Sequence, residues 1–146
     1  MDELWRPGLP RFRFWENLEA RVILRERFEL ERPAMPPHWL EWYRFRPKPT
    51  CVDPFVDAAR AMVLIDTLGW PAVSLRHPDS RFRAPSLDVV TFFHSPATSS
   101  EWLLCEQECP QGRHGLLSPR ARVFDRDGKL VASGGAQLLC IPVPSG

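Results

Sequence analysis

One carboxylate stands where the physics of a helix argues against it. The segment Asp53–Gly69 is typical of a single helix, and Asp66 follows Val63 and Met62 by three and four residues, so it projects from an apolar face. It also falls in the last turn, where the helix dipole disfavours a negative charge. A carboxylate held in such a place is a candidate catalytic group, and a capping or salt-bridged Asp at a frayed helix end is the alternative.

A second set of reactive side chains falls on one predicted strand. Ser86, Asp88 and His94 occupy even positions of the segment SLDVVTFFH, so a Ser/His/Asp triad is arithmetically available. The segment lacks the strained turn that exposes a nucleophilic serine, which argues against this triad. His94 precedes Ser95-Pro96, and we expect it to be a structural hydrogen-bonding group at the end of the strand.

The cysteines do not form a metal-binding pattern. Cys105 and Cys109 are four residues apart, and Cys51 and Cys140 provide no matching second pair. We therefore expect no metal site. Buried free thiols in a reducing compartment are the simpler interpretation, which places the protein in the cytoplasm.

Composition excludes several classes of protein. The chain has 146 residues, 44% of them hydrophobic and 25% charged, which suits one domain with a core. A net charge of +1 gives no reason to expect nucleic acid as a partner. The longest apolar run stays far below the ~20 residues of a membrane-spanning helix. The opening MDELWRPG has no apolar core of a secretory signal.

The central helix has both of its ends marked. Asp53 can cap the first turn, Pro54 suits its first position, and Gly69 followed by Pro71 predicts a left-handed stop. The apolar positions form one wide face: Phe55, Ala58, Ala59, Met62, Val63 and Ile65. We expect this face, with Met62 and Val63 buried, to lie across a sheet.

Alternating and aromatic-rich segments predict strands on both sides of that helix. They are a strand from Leu18, then His38–Arg46, Ser86–His94, Glu101–Cys109, Leu116–Phe124 with an irregularity at Pro119, and Lys129–Ile141 with a bulge at Gly134-Gly135. Ser74–Pro85 is predicted as a loop. Because strands and helices do not alternate, the sheet should be antiparallel and wrapped around the helix, an α+β fold. Residues 1–13 are predicted as an arm and 14–146 as one domain.

Three segments in this order resemble a known family. SLDVVTFFHSP, EWLLCEQECPQGRHGLL and RVFDRDGKLVASGGAQLL are similar to the C-terminal half of acyl-CoA thioesterase II-type proteins and the wider thioesterase-like superfamily. The resemblance covers roughly Trp15 to Ile141 and implies a hotdog fold, a curved antiparallel sheet around one long helix. Family members usually carry two such halves, and this chain has about the length of the second. A homodimer or a partner hotdog half is therefore expected.

The resemblance also implies a site and a reaction. By position, the residues that activate a water in the family fall on Asp66, Ser86 and Gln137, and no covalent nucleophile is required. Gln137 comes one residue late, so its assignment depends on a bulge at Gly134-Gly135 that restores its orientation.

The implied activity is hydrolysis of an acyl-CoA to a free acid and CoA, with no cofactor beyond the CoA of the substrate. Arg76, Arg81 and Arg83 are candidates to meet the phosphates of CoA, and solvated loop arginines are the alternative. The rival function is a non-catalytic hotdog half that binds acyl-CoA or a partner chain. A hotdog hydratase is disfavoured, because Asp66 stands where a His-based motif would be expected.

Overall fold

The computed structural model describes residues 13–23, 34–77 and 82–143, which form an eight-stranded sheet, a separate two-stranded sheet and two consecutive helices. The helices are α1 (Pro54–Thr67) and α2 (Gly69–Arg76), and a short 3-10 turn spans Arg13–Asn17. The strands are β1 (Leu18–Val22), β2 (His38–Phe45), β3 (Phe82–Arg83), β4 (Ser86–Phe93), β5 (Trp102–Glu108), β6 (Gly112–Arg113), β7 (Leu116–Leu117), β8 (Arg120–Phe124), β9 (Leu130–Leu139) and β10 (Ile141–Pro142). Apart from Arg13, the predicted N-terminal arm lies outside the described residues.

The main sheet is antiparallel and places β9 beneath the helices. Its order is β1-β2-β5-β8-β9, with β7 continuing the line of β8 along one edge of β9 and β4 paired to the other edge. Pro119 separates β7 from β8, at the irregularity that its missing N–H predicts. One face of the sheet packs on α1, so the predicted α+β architecture is confirmed.

The start of α1 agrees with the sequence, but its end does not. The Asp53 side chain accepts from the amides of Phe55 (2.8 Å) and Val56 (3.2 Å), which is a complete N-cap. Gly69 is not a left-handed stop, because α2 begins there and replaces the first part of the predicted loop Ser74–Pro85. A Cβ at Gly69 would lie 2.7 Å from Cγ of Pro119, so close packing explains the glycine.

The face of α1 that meets the sheet is rotated from the predicted one. Leu64, Ile65 and Leu68 are fully buried, while Met62 is 43% exposed and Val63 is half-buried. The prediction that Met62 is buried is therefore wrong. The apolar arc of α1 is wider than the part that the sheet covers, and the covered part packs in one core with Ala121 and Ala132 of the sheet.

A buried ion pair fastens the first half of α1. The guanidinium of Arg60 donates to Asp57 Oδ2 at 2.8 Å, and the two side chains are 5% and 1% exposed. Arg60 also donates to the carbonyls of Pro49 (2.6 Å), Ala97 (2.9 Å) and Ser100 (3.0 Å). Asp57 therefore neutralises Arg60, and it also lies in the first turn of α1, where a negative charge complements the helix dipole.

The glycine pair of β9 marks a close approach of strands. Pairing continues regularly through Gly134 and Gly135 to both β4 and β8, so the predicted bulge at these residues is wrong. A Cβ at Gly134 would overlap the Val90 carbonyl oxygen, and one at Gly135 would lie 2.5 Å from the Pro119 carbonyl oxygen. Only a residue without a side chain allows neighbouring backbones this near.

Candidate active site

Asp66 and Ser86 meet where the end of α1 passes the start of β4. Ser86 Oγ donates to Asp66 Oδ1 over 2.6 Å, the length of a charge-assisted O–H···O⁻ hydrogen bond. Asp66 is half-buried and Ser86 is exposed, so the pair is open to a ligand on one side. The structure thus brings together two of the three residues predicted to activate a water.

A bulge in β4 turns Ser86 toward the helix. Ser86 pairs with Leu138 and Asp88 with Gln137, so Leu87 is one extra residue in β4. In a regular strand Ser86 and Asp88 would share a face, whereas here Ser86 lies on the side of Asp66 and Asp88 on the other. A bulge therefore does correct the register, but it lies in the strand opposite the one where it was expected.

Gln137 does not reach this pair. Its neighbours Ala136 and Leu138 are buried against α2, while Gln137 is exposed on the outer face of the sheet. There it lines an open groove of about 760 Å³ together with Asp88, Arg120 and Arg122. The predicted placement of Gln137 beside Asp66 is wrong. Its assignment depended on a bulge at Gly134-Gly135, and no bulge there turns the side chain inward. The groove, although large, contains neither Asp66 nor Ser86.

Gln107 is a polar residue of the helix side that the sequence reasoning missed. It is completely buried on β5, and its Nε2 donates to the carbonyl of Ile65 over 2.8 Å. That carbonyl belongs to the residue before Asp66, so Gln107 fixes the turn that carries the carboxylate. The sequence carries a signal for it, because Leu103, Cys105 and Gln107 alternate with Leu104, Glu106 and Glu108, so Gln107 shares a face of the strand with two apolar residues.

The Ser/His/Asp triad does not form. Asp88 accepts from the backbone amide of Gln137 at 2.9 Å, and His94 Nε2 lies 2.8 Å from Ser133 Oγ. Ser86 is bonded to Asp66 instead. The interpretation of His94 as a structural group at the end of a strand is confirmed.

The thiols are poor nucleophiles. Burial raises the pKa of Cys105, and the nearby carboxylates of Glu106 and Glu41 raise it further. Burial also raises the pKa of Cys109 and Cys140. These three side chains stay protonated at neutral pH, so none of them is a thiolate nucleophile.

The arginines predicted to bind CoA are only partly described. Arg76 is exposed in the last turn of α2 and Arg83 is exposed in β3, whereas Arg81 lies outside the described residues.

Within the described ranges, no three His, Cys, Asp or Glu side chains are grouped to hold a metal ion. None of the helices described is long and apolar enough to cross a membrane.

The arrangement suits base-assisted attack by a water. The hydroxyl of Ser86 donates a hydrogen bond to Asp66, and its oxygen keeps lone pairs that can accept a hydrogen bond from a water. Asp66 keeps a second carboxylate oxygen that can take a proton from that water. A carboxylate and a hydroxyl at this distance orient one small nucleophile without forming a covalent intermediate. A pair of this kind is suited to the hydrolysis of an activated carbonyl compound such as an ester or thioester.

Comparisons with known proteins find one matching family model and several similar solved structures. A family model described as the acyl-CoA thioesterase C-terminal domain matches residues 2–141. Comparison with curated proteins finds no match. Among solved structures, acyl-CoA thioesterase II TesB2 from Mycobacterium marinum is 26% identical with a TM-score of 0.71, over 97% of this chain and 57% of that one.

More distant structures extend the likeness of fold. The tesB protein of Mycobacterium avium subspecies paratuberculosis is 24% identical with a TM-score of 0.67, over 94% of this chain and 53% of that one. A Streptococcus mutans UA159 protein bound to acetyl-CoA is 14% identical with a TM-score of 0.65, over 94% of this chain and 99% of that one. The chain is a hotdog domain, and it spans little more than half the length of the thioesterase II structures.

Proposed function

This chain belongs to the family of acyl-CoA thioesterase C-terminal domains, and on that premise we propose that it hydrolyses an acyl-CoA thioester to a free acid and CoA. The observation that carries the proposal is the 2.6 Å hydrogen bond between Ser86 and Asp66. It joins a helix to a strand at an accessible position, where a carboxylate is otherwise unfavourable.

The proposed reaction assigns one role to each residue. Ser86 orients a water, and Asp66 removes a proton from it as the oxygen attacks the thioester carbonyl. The new C–O bond forms a tetrahedral oxyanion. Its collapse breaks the C–S bond, and the proton held by Asp66 passes to the departing CoA sulfur, so the enzyme returns to its starting state.

The substrate class is proposed from chemistry and from likeness. A thioester needs no metal to make its carbonyl reactive, so a carboxylate base and an orienting hydroxyl suffice. The Streptococcus mutans neighbour is described as bound to acetyl-CoA. The exposed guanidinium groups of Arg76 and Arg83 remain our candidates for the phosphates of CoA.

Asp66→Asn tests the proposed base. Asn keeps the shape of the side chain and removes its ability to accept a proton, so turnover of acyl-CoA should fall roughly 10²–10⁴-fold. The measurement is thiol release from acyl-CoAs of short, medium and long chain. Asp127→Asn, in an exposed turn, is the matched control and should retain wild-type turnover. Equal turnover in Asp66→Asn and wild type would refute the mechanism.

The position of Gln137 supports a second candidate function, a hotdog half that binds acyl-CoA without cleaving it. The inward position beside Val89 on the neighbouring strand holds Ala136, whose methyl group cannot orient a water. In that case calorimetry would detect binding of an acyl-CoA that stays intact during the titration. If the chain hydrolyses thioesters instead, Gln137→Ala should change turnover less than about threefold, because its side chain faces away from Asp66.

A further inference from the structure

Two hydrogen bonds bracket the bulge in β4. On one side of it, the amide of Leu139 donates to the carbonyl of Pro85 over 3.0 Å. On the other side, the amide of Gln137 donates to Asp88 Oδ1 over 2.9 Å. The step from Gln137 to Leu139 is two positions, whereas the step from Pro85 to Asp88 is three, so β4 has one residue more than β9 between these bonds.

The second of these bonds is made by a side chain. Asp88 and Gln137 are opposite each other in the register of the two strands. The amides of an antiparallel ladder normally donate to backbone carbonyls, but the amide of Gln137 donates to a carboxylate oxygen, which is a stronger acceptor. A side chain that binds a backbone amide in this way competes with regular strand pairing.

Regular pairing would exchange the faces of Ser86 and Leu87. Without the bulge, Leu87 would lie opposite Leu138 on the face that packs on the helices, and Ser86 would turn to the outer face. Leu87 is 54% exposed in the structure, so the hydrophobic effect favours this exchange. The bulged register therefore needs an interaction that regular pairing does not offer.

We infer that Asp88 stabilises the bulge and is thereby a positioning residue for the Asp66–Ser86 pair. Its carboxylate lies on the outer face of the sheet, away from the reacting groups, and acts through the amide of Gln137. While that bond is made, Leu87 stays outside and Ser86 Oγ lies 2.6 Å from Asp66 Oδ1. The role of Asp88 in the reaction rests on the proposed function, whereas its role in the register does not.

The acceptor must belong to β4 if it is to fix the register. A water could also accept from the amide of Gln137, but it would leave β4 free to shift by one residue. Asp88→Ala leaves only water as the acceptor. Asp88→Asn keeps a side-chain oxygen at the same place, so it is the conservative variant that should rescue the register.

The exposure of position 87 shows the register without any substrate. A cysteine introduced by Leu87→Cys should react readily with iodoacetamide. Adding Asp88→Ala should lower its labelling rate at least about fivefold, because the thiol then turns toward the helices. Adding Asp88→Asn should leave the rate within about twofold. Mass spectrometry of peptides separates this label from labels on the four native cysteines.

Turnover of acyl-CoA tests the role in the reaction. With Leu87 in place, Asp88→Ala should lower kcat at least about tenfold and change KM less than about threefold, because it displaces the hydroxyl that orients the water and removes no group that binds substrate. Asp88→Asn should retain the wild-type kcat. Asp127→Ala, which removes a carboxylate from an exposed turn, is the matched control and should change neither kcat nor the labelling rate.

The two measurements separate the register from the hydrolysis. Equal labelling rates with Asp88→Ala and Asp88→Asn would overturn the inference, and so would an unchanged kcat in Asp88→Ala when the wild type is active. If labelling slows as expected but even the wild type does not hydrolyse acyl-CoA, the proposed hydrolysis is refuted and the control of the register by Asp88 stands.

Discussion

The buried pair of Asp57 and Arg60 offers a sharp test of what holds α1 in place. Asp57→Asn keeps the volume of the side chain and can retain the hydrogen bond that Asp57 Oδ1 accepts from the amide of Cys51 at 2.8 Å. It removes the charge that neutralises Arg60, whose side chain is 5% exposed. An unpaired charge in such a place is the costly outcome of breaking a buried ion pair.

The expected loss follows from the burial of the pair. Removing one partner of a buried ion pair costs about 3–5 kcal/mol, whereas exposed pairs contribute about 0–1 kcal/mol. The carbonyls of Pro49, Ala97 and Ser100 still accept from Arg60 and offset part of the charge, so we expect the lower end, about 3 kcal/mol. For a chain of this size the melting temperature should fall by roughly 10 °C.

The same substitution four residues earlier is the control. Asp53 is an exposed N-cap, and Asn caps a helix about as well as Asp, so Asp53→Asn should change stability by less than about 0.5 kcal/mol. Urea unfolding followed by circular dichroism gives both free energies. If Asp57→Asn and Asp53→Asn lose the same stability within about 1 kcal/mol, the burial argument fails.

Two further outcomes are expected from the sheet and from its buried acids. Gly134→Ala should lower the free energy of unfolding in urea by about 1–3 kcal/mol, because the added methyl group meets the backbone of Val90. Gly112→Ala is the control and should lower it less, because its methyl group meets only the end of a flexible side chain. Equal losses in the two variants would contradict the close-approach argument. Burial raises the pKa of Tyr43 and of Cys105, so above about pH 8.5 the unfolded chain loses protons that the folded chain retains. The melting temperature should therefore fall as pH rises from there, less steeply in Cys105→Ala, and a flat profile would show that these groups are not shielded.

The sequence was sufficient for the architecture because local signals agreed with one another. Asp53 marks the start of α1 because its side chain accepts hydrogen bonds from amides of the first turn, and Pro54 does so because it has no amide hydrogen to leave unpaired. Neither effect depends on the rest of the fold. The end of α1 was misjudged because Gly69 has two uses, a left-handed stop and close packing. Only the position of Pro119, fifty residues away, decides between them.

The site was half predictable for a related reason. Asp66 could be identified from its helix alone, since both its turn and its neighbours make a carboxylate unusual. Gln137 could not be placed, because its face depends on the exact count of residues between bulges in two paired strands. The buried face of α1 was also beyond periodicity, which shows an arc of apolar residues but not which part of it the sheet covers.

The extra residue in β4 makes the length of this strand matter more than its composition. The side chain of Leu87 is 54% exposed, so many residue types can stand there. Its presence, however, decides which face of the sheet the preceding side chains of β4 are on. Deletion of this one residue would move the hydroxyl of Ser86 to the opposite face while residues 88–93 stay paired. In evolutionary terms, position 87 should tolerate substitution freely and reject insertions and deletions. Comparisons that score only residue identity would rate as unimportant the residue on which the alignment of the two catalytic candidates depends.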